Sequence, residues 1–221
     1  SVIGGGTYPR PGEISLAHNG VLFMDEFPEF DKRVLESLRE PMEDQEVRIS
    51  RSKGTVTFPA RFTLVAALNP PSAIYRDNTT ITPAQIRAFS RKISGPIMDR
   101  IDIWIEVPKI EHTKLLGHMR SGEVSSVIQK RVIETRNTQY QRLGHGRTNA
   151  HMSVRDIDNH IALDAHVKQL LDTSAQKLNL SPRVYHKILK LAQTIADLEQ
   201  SPRIAQQHIL EALQYRPRDI I

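Results

Sequence analysis

Gly20-Val21-Leu22-Phe23-Met24-Asp25-Glu26-Phe27 is the stretch that decides the fold. Four apolar residues follow a turn-forming Asn19-Gly20 and run straight into two adjacent carboxylates. An apolar run this short reads as a strand buried on both faces, the kind found in parallel sheets. Asp25 and Glu26 then stand where the strand ends, and ligands of open α/β sheets gather at the carboxyl ends of strands. Two acids at such a place divide into two tasks. The first holds a Mg²⁺ ion, usually through water, and the second orients or deprotonates an attacking water. A simple cap for the following segment would use the same letters, so the rest of the chain has to decide.

Upstream, Gly4-Gly5-Gly6-Thr7-Tyr8-Pro9-Arg10-Pro11-Gly12 is loop by composition. It does not fit the phosphate-loop pattern G-x-x-x-x-G-K-[ST], and no other part of the chain does. Downstream, Asp31 is placed to cap a helix whose apolar residues Val34, Leu35, Leu38 and Met42 share a face, and Pro41 should loosen its last turn. Residues 46–58 alternate on both sides of a glycine-containing turn, which predicts a β-hairpin with Arg51 and Lys53 at its tip. Phe62–Leu68 is a second buried-strand run, ending at Asn69, whose amide could reach the same water as the acidic pair or simply open the turn at Pro70-Pro71. Thr82-Pro83 opens a predicted helix that runs to Gly95-Pro96. Ile101–Val107 alternates strictly and reads as a third strand.

From Pro108 onward the pattern becomes helical. A long polar helix is expected over Ser121–Leu143 with Val124, Val127, Ile128 and Val132 as its apolar stripe, followed by shorter helices at 153–163 and 165–178. Ser181-Pro182-Arg183 and Ser201-Pro202-Arg203 each read as a helix start, with a capping serine and proline in the first turn. These helices should pack as a bundle.

Composition narrows the classes. The 221 residues hold 39% hydrophobic and 25% charged side chains, enough for a buried core in one large or two small domains. The absence of cysteine excludes disulfides and thiolate metal sites. The nine histidines show no metal-ligand spacing, since pairs such as His112/His118 and His160/His166 do not share a helix face. No run approaches a membrane span. A net charge of +5 permits nucleic-acid contact, while 5% aromatics argue against base stacking as its main mode.

Taken in order, Asp25-Glu26, Asn69, Arg100 and the Ser181-Pro182-Arg183 helix start resemble the Walker B, sensor 1, arginine finger and sensor 2 of an AAA+ ATPase. More narrowly, the chain resembles the magnesium chelatase-like branch and, within it, the competence protein ComM family. The matching stretches are Pro9–Gly20, the acidic strand itself, Leu38-Arg39-Glu40-Pro41-Met42-Glu43-Asp44, Phe58-Pro59-Ala60-Arg61-Phe62, Ser94–Arg100, Leu180–Leu189 and Thr194–Leu198. Two departures stand out. No cysteine follows the Asn69-Pro70 pair, and Ile101 occupies a position where phenylalanine is usual.

The resemblance implies an α/β fold: a partial AAA+ P-loop NTPase core of parallel strands plus a β-hairpin over residues 1–108, then an all-α helical lid and C-terminal bundle over 109–221. It implies ATP and Mg²⁺ as cofactors. Asp25 would hold the metal, Glu26 would polarise the water and Asn69 would position it. Arg100 would act on a neighbouring subunit's nucleotide, and Arg183 would touch phosphate from the lid, with Arg203 a weaker candidate for that role. Arg51 and Lys53 would meet DNA backbone. It further implies a cytoplasmic homo-oligomeric ring, a hexamer, whose ATPase activity drives helicase-like DNA strand or branch movement in transformation and recombination. The alternatives are the motor subunit of a magnesium chelatase serving tetrapyrrole synthesis and a non-catalytic ring-assembly module. Without a phosphate-binding loop the chain reads as the C-terminal part of a longer protein, and this part by itself should not hydrolyse ATP.

Overall fold

The computed structural model describes residues 2–6, 8–51, 54–69, 92–108 and 122–216. Two compact units divide the chain, Ser1–Ile101 and Asp102–Pro217.

In the first unit, a short antiparallel pair, β1 (Gly4–Gly5) and β2 (Arg10–Pro11), precedes α1 (Glu13–Leu16). Glycine is required here for space. A Cβ on Gly12 would lie 2.3 Å from the Gly4 nitrogen, and Gly4 itself has φ +102°. β3 (Val21–Met24) follows, then α2 (Lys32–Ser37) and α3 (Arg39–Asp44). Asp31 caps α2 as expected, its carboxylate accepting the Arg33 N–H at 2.7 Å. The helix breaks at Leu38, ahead of Pro41, because proline offers no N–H to the Ser37 carbonyl one turn back. Leu35 and Leu38 are nonetheless both buried, so the apolar face survives the break.

The hairpin forms from β4 (Glu46–Arg51) and β5 (Gly54–Pro59), in register from Glu46 opposite Pro59 to Arg51 opposite Gly54. β6 (Thr63–Ala66) then returns parallel to β3, with Val21 opposite Thr63 and Met24 opposite Ala66. α4 (Gly95–Met98) follows the helix expected from Thr82, most of which lies outside the described residues. Ile14, Met24, Phe27, Leu35, Leu38, Ile49 and Ile97 form the core.

Two expectations for this unit are corrected. β3 is buried on one face only: Val21 and Phe23 remain 62% and 61% exposed, because among the described residues β3 and β6 form a two-stranded sheet with only one side covered. Ile101–Val107 is not a strand, since among the described residues it has no ladder partner. Its alternation is real, but Ile103, Ile105 and Val107 are exposed. From Asp102 the segment belongs to the second unit, where the Trp104 N–H donates to the Tyr215 carbonyl at 2.8 Å and Asp102 pairs with Lys187 at 2.7 Å.

The second unit is helical: α5 (Ser125–Leu143), α6 (Val154–His160), α7 (Ala165–Lys177), α8 (Pro182–Leu198) and α9 (Gln206–Gln214). Leu143, Leu171, Ile188, Ala192, Ile195 and Ile209 make its core. Ser181 caps α8, accepting the Val184 N–H at 3.3 Å. Ser201-Pro202 does not open a helix. The Ser201 hydroxyl donates to the Arg203 carbonyl, and α9 begins only after Ala205, whose N–H is taken by His208 Nδ1 at 2.9 Å. The α5 stripe also differs from expectation. Val124, Val127, Ile128 and Val132 stay exposed, and the helix seats itself through Thr135, Gln139 and Leu143 instead.

Those buried polar residues of α5 lead to a network. Asp197 on α8 accepts Arg142 Nη2 at 2.6 Å and Nη1 at 2.9 Å, Asn149 Nδ2 at 2.8 Å and Gln193 Nε2 at 3.0 Å. Asn149 also receives Arg142 through its own oxygen, and its backbone N–H donates to Gln139. Each buried group thereby finds partners, which is what makes such burial tolerable.

Candidate functional site

β3 and β6 run parallel, so both chains leave the sheet at the same end. There the Ala67 N–H donates to the Met24 carbonyl and the Phe27 N–H to the Ala67 carbonyl, each at 2.9 Å. These two bonds clamp the backbone on either side of Asp25-Glu26. The Glu26 N–H turns back to Asp25 Oδ1 at 2.8 Å, and Glu26 takes a left-handed backbone, φ 49° and ψ 42°. Buried Phe27 and Pro28 anchor the next turn. The result is a tight corner that leaves both side chains exposed, with the Glu26 carboxylate making no hydrogen bond or ion pair among the described residues. Asn69, also exposed, follows Ala67 by two residues on the neighbouring strand's exit. Asp25-Glu26 and Asn69 therefore both follow the same end of the β3–β6 pair.

The donor set suits Mg²⁺. It offers hard carboxylate oxygens, those of the two adjacent exposed acids Asp25 and Glu26. Mg²⁺ favours that arrangement, taking one or two carboxylates and completing its shell with water and phosphate.

Arg100 lies elsewhere. It follows α4, and its guanidinium folds inward: Nη1 donates to the Pro96 carbonyl at 2.6 Å and Nη2 pairs with Glu43 of α3 at 2.7 Å. Only 10% of the side chain is exposed. Arg183 sits in the first turn of α8 on an exposed position. Arg203 is 3.7 Å from Asp164. At the hairpin tip, Lys53 and the Arg51 side chain lie outside the described residues.

Several histidines serve as acceptors for backbone N–H groups: His18 for Arg61, His151 for Thr148 and His208 for Ala205. Because His208 Nδ1 accepts, its Nε2 carries the proton of the neutral ring and donates to Glu199 at 2.9 Å. That bond is the largest influence holding the Glu199 carboxyl below its usual range.

Sequence reasoning missed Glu43 as the partner of Arg100, although Glu43 stands within one of the family-like stretches. It also missed the Asp197 network, whose signal is a carboxylate one turn after Gln193 on the otherwise apolar buried face of α8.

Comparison with known proteins gives the family. A family model described as "Magnesium chelatase, subunit ChlI" matches residues 1–115, and one described as "Magnesium chelatase, subunit ChlI C-terminal" matches residues 122–216. The chain is 44% identical over 98% of its length to the Haemophilus influenzae "Competence protein ComM", covering 42% of that protein. It is 42% identical over 99% of its length to the "Uncharacterized protein YifB" of Salmonella typhimurium, covering 43% of it. A more distant match, 24% identical over 95% of the chain and 26% of the relative, is the Drosophila melanogaster "DNA replication licensing factor Mcm6". The chain thus spans under half the length of the curated relatives it matches. With both family models and the parallel α/β core in agreement, the chain belongs to the magnesium chelatase ChlI family of AAA+ ATPases and is ComM-like within it.

Proposed function

We propose that the full-length protein is an ATPase that works as a homo-oligomeric ring, a hexamer, in the cytoplasm and drives DNA strand or branch movement during uptake and recombination. The observation that carries this reading is the shared exit of Asp25, Glu26 and Asn69 from one end of the parallel β3–β6 pair. When bound, Mg²⁺ offsets the charge of the ATP phosphates. Asp25 would hold that ion, usually through water. Glu26 accepts a proton from, or polarises, the attacking water, an effect worth roughly 10²–10⁴-fold. The Asn69 amide orients that water. The clamp at Met24, Ala67 and Phe27 fixes the corner from which both acids act. Arg183 contacts phosphate from the first turn of α8. Arg100 serves the neighbouring subunit's nucleotide, a contribution of about 10³–10⁵-fold for such arginines. Arg51 and Lys53 bind DNA phosphates without reading sequence, which makes the contact salt-sensitive.

One similar protein is named a competence protein and another a DNA replication licensing factor, and both names favour DNA as the substrate. The second reading, a magnesium chelatase motor, is favoured by the description of the matching family models. Two measurements on the full-length protein test the proposal. Glu26→Gln, Asn69→Ala and Arg100→Ala should each abolish or greatly slow Mg²⁺-dependent ATP turnover while leaving the fold intact. Branched and single-stranded DNA should bind and stimulate turnover. Turnover unaffected by Glu26→Gln ends the ATPase assignment, and absence of DNA binding transfers the case to the chelatase reading.

A further inference from the structure

We propose that Glu43 is a positioning residue for Arg100: it holds the guanidinium retracted within its own subunit and gives it up only when a neighbouring subunit presents its nucleotide. This rests on the assignment of Arg100 above and adds to it the resting state and the group that enforces it.

Arg100 cannot serve a neighbour in the position it occupies. Its side chain is nine-tenths buried, with Nη2 on Glu43 at 2.7 Å and Nη1 on the Pro96 carbonyl at 2.6 Å. Yet the resting place is imperfect. Arg100 Nε is buried and has no acceptor among the described residues. A buried donor left unpaired costs free energy that an outward guanidinium, hydrated or on phosphate, would recover. The pose is therefore held by the ion pair and opposed by the stranded Nε, the balance expected of a contact that must be exchanged.

Glu43 suits the holding role. It is the penultimate residue of α3, beside Asp44, at the helix end where the backbone dipole disfavours negative charge. Arg100 offsets that charge at rest. The carboxylate is 39% exposed, so water can take over its solvation once the arginine leaves. A triphosphate carries more charge and more acceptors than one carboxylate and can receive the guanidinium through two parallel bonds. A neighbour's nucleotide would thus outcompete Glu43, and a subunit alone would keep Arg100 withdrawn.

The test uses full-length protein and follows ATP turnover per subunit against protein concentration. In Glu43→Gln, half-maximal activity should be reached at a concentration about tenfold lower than in the unaltered protein, because the competent Arg100 state is no longer depleted. Turnover at saturating concentration should stay within about twofold, and the thermal midpoint should not rise or fall in step with the shift. An unchanged half-activation concentration overturns the proposal. So does saturated turnover falling toward that of Arg100→Ala, which would make Glu43 a support for the engaged arginine. Should the glutamine variant not fold, Glu43→Asp, which shortens the reach to Nη2, is judged by the same criteria. If Arg100→Ala itself retains normal turnover, the assignment of Arg100 fails and the holding role fails with it. If Arg100→Ala is inactive and Glu43→Gln behaves as the unaltered protein, only the holding role fails.

Discussion

Replacing Asp197 with alanine should be the most damaging single change in the helical unit outside its apolar core. The carboxylate is 1% exposed and takes four hydrogen bonds, two of them from Arg142, which is itself 18% exposed. Removing one partner of a buried ion pair costs about 3–5 kcal/mol, because the other charge is left without compensation. Two features place the expected value in the lower half of that range. Asn149 keeps Thr194 as an acceptor at 3.1 Å, and water can reach part of Arg142. Gln193, by contrast, loses the acceptor it has at 3.0 Å, which pulls the figure back up. We expect about 3–4 kcal/mol. In a unit of this size that corresponds to a fall in Tm of roughly 10–20 °C. Urea unfolding followed by the fluorescence of Trp104, the one tryptophan of the chain, reports on this unit directly. The control is Arg147→Ala, which breaks an ion pair with Asp156 at 2.7 Å whose arginine is 46% exposed and should cost less than ~1 kcal/mol. If Asp197→Ala costs no more than this control, the network does not hold α5 to α8 and the reasoning is wrong.

Other outcomes follow from single contacts. Ser181→Ala removes the cap from α8 and should cost about 1 kcal/mol, measurable as a lower urea midpoint, with Ser181→Asp largely restoring it. Asp156 is held down to about 2 by the Ser153 N–H and hydroxyl and by Arg147, against 3.8 for the free group. A depressed carboxylate stabilises the fold above its unfolded value and loses that contribution as pH falls, so between pH ~4 and ~2 the Tm of Asp156→Asn should decline less steeply than that of the unaltered chain. Gly12→Ala should disrupt the β1–β2 corner, since the added carbon has backbone atoms of Gly4, Ile3 and Val2 within 2.5 Å. Faster amide exchange around residues 2–12 would register it. The 221-residue chain, with no phosphate-loop pattern, should show no Mg²⁺-dependent ATP turnover in a phosphate-release assay.

Local chemistry was the legible part. The apolar run of β3, its parallel counterpart β6, the β4–β5 hairpin, the Asp31 cap and the Ser181 start all depend on residues close in sequence. Legibility ended wherever the outcome depended on a distant partner. Ile101–Val107 alternates as a strand should, but alternation describes a segment's two faces and not whether another strand lies beside it. Ser201-Pro202 carries the same letters as Ser181-Pro182, yet the Ser201 hydroxyl is drawn to the Arg203 carbonyl and the helix waits for His208. In α5 the valine and isoleucine stripe lost to Thr135 and Gln139, whose burial depends on residues of other elements. Around the candidate site, the placement of Asp25-Glu26 just past β3 and of Asn69 beyond β6 was readable because strand ends are local features. The inward fold of Arg100 was not, because Glu43 is brought to it by the tertiary structure alone.

The backbone at Glu26 has a consequence for variation. A left-handed conformation costs an ordinary L-residue about 1–2 kcal/mol that glycine does not incur and asparagine incurs less. Judged by folding alone, glutamate is a poor choice at this corner, and selection for thermostability should drift toward glycine or asparagine there. If Glu26 has the catalytic role proposed for it, such substitutions would yield sturdier molecules in which the full-length protein no longer turns over. A saturation library scored once for heat resistance and once for catalysis should therefore rank position 26 at opposite ends of the two scales.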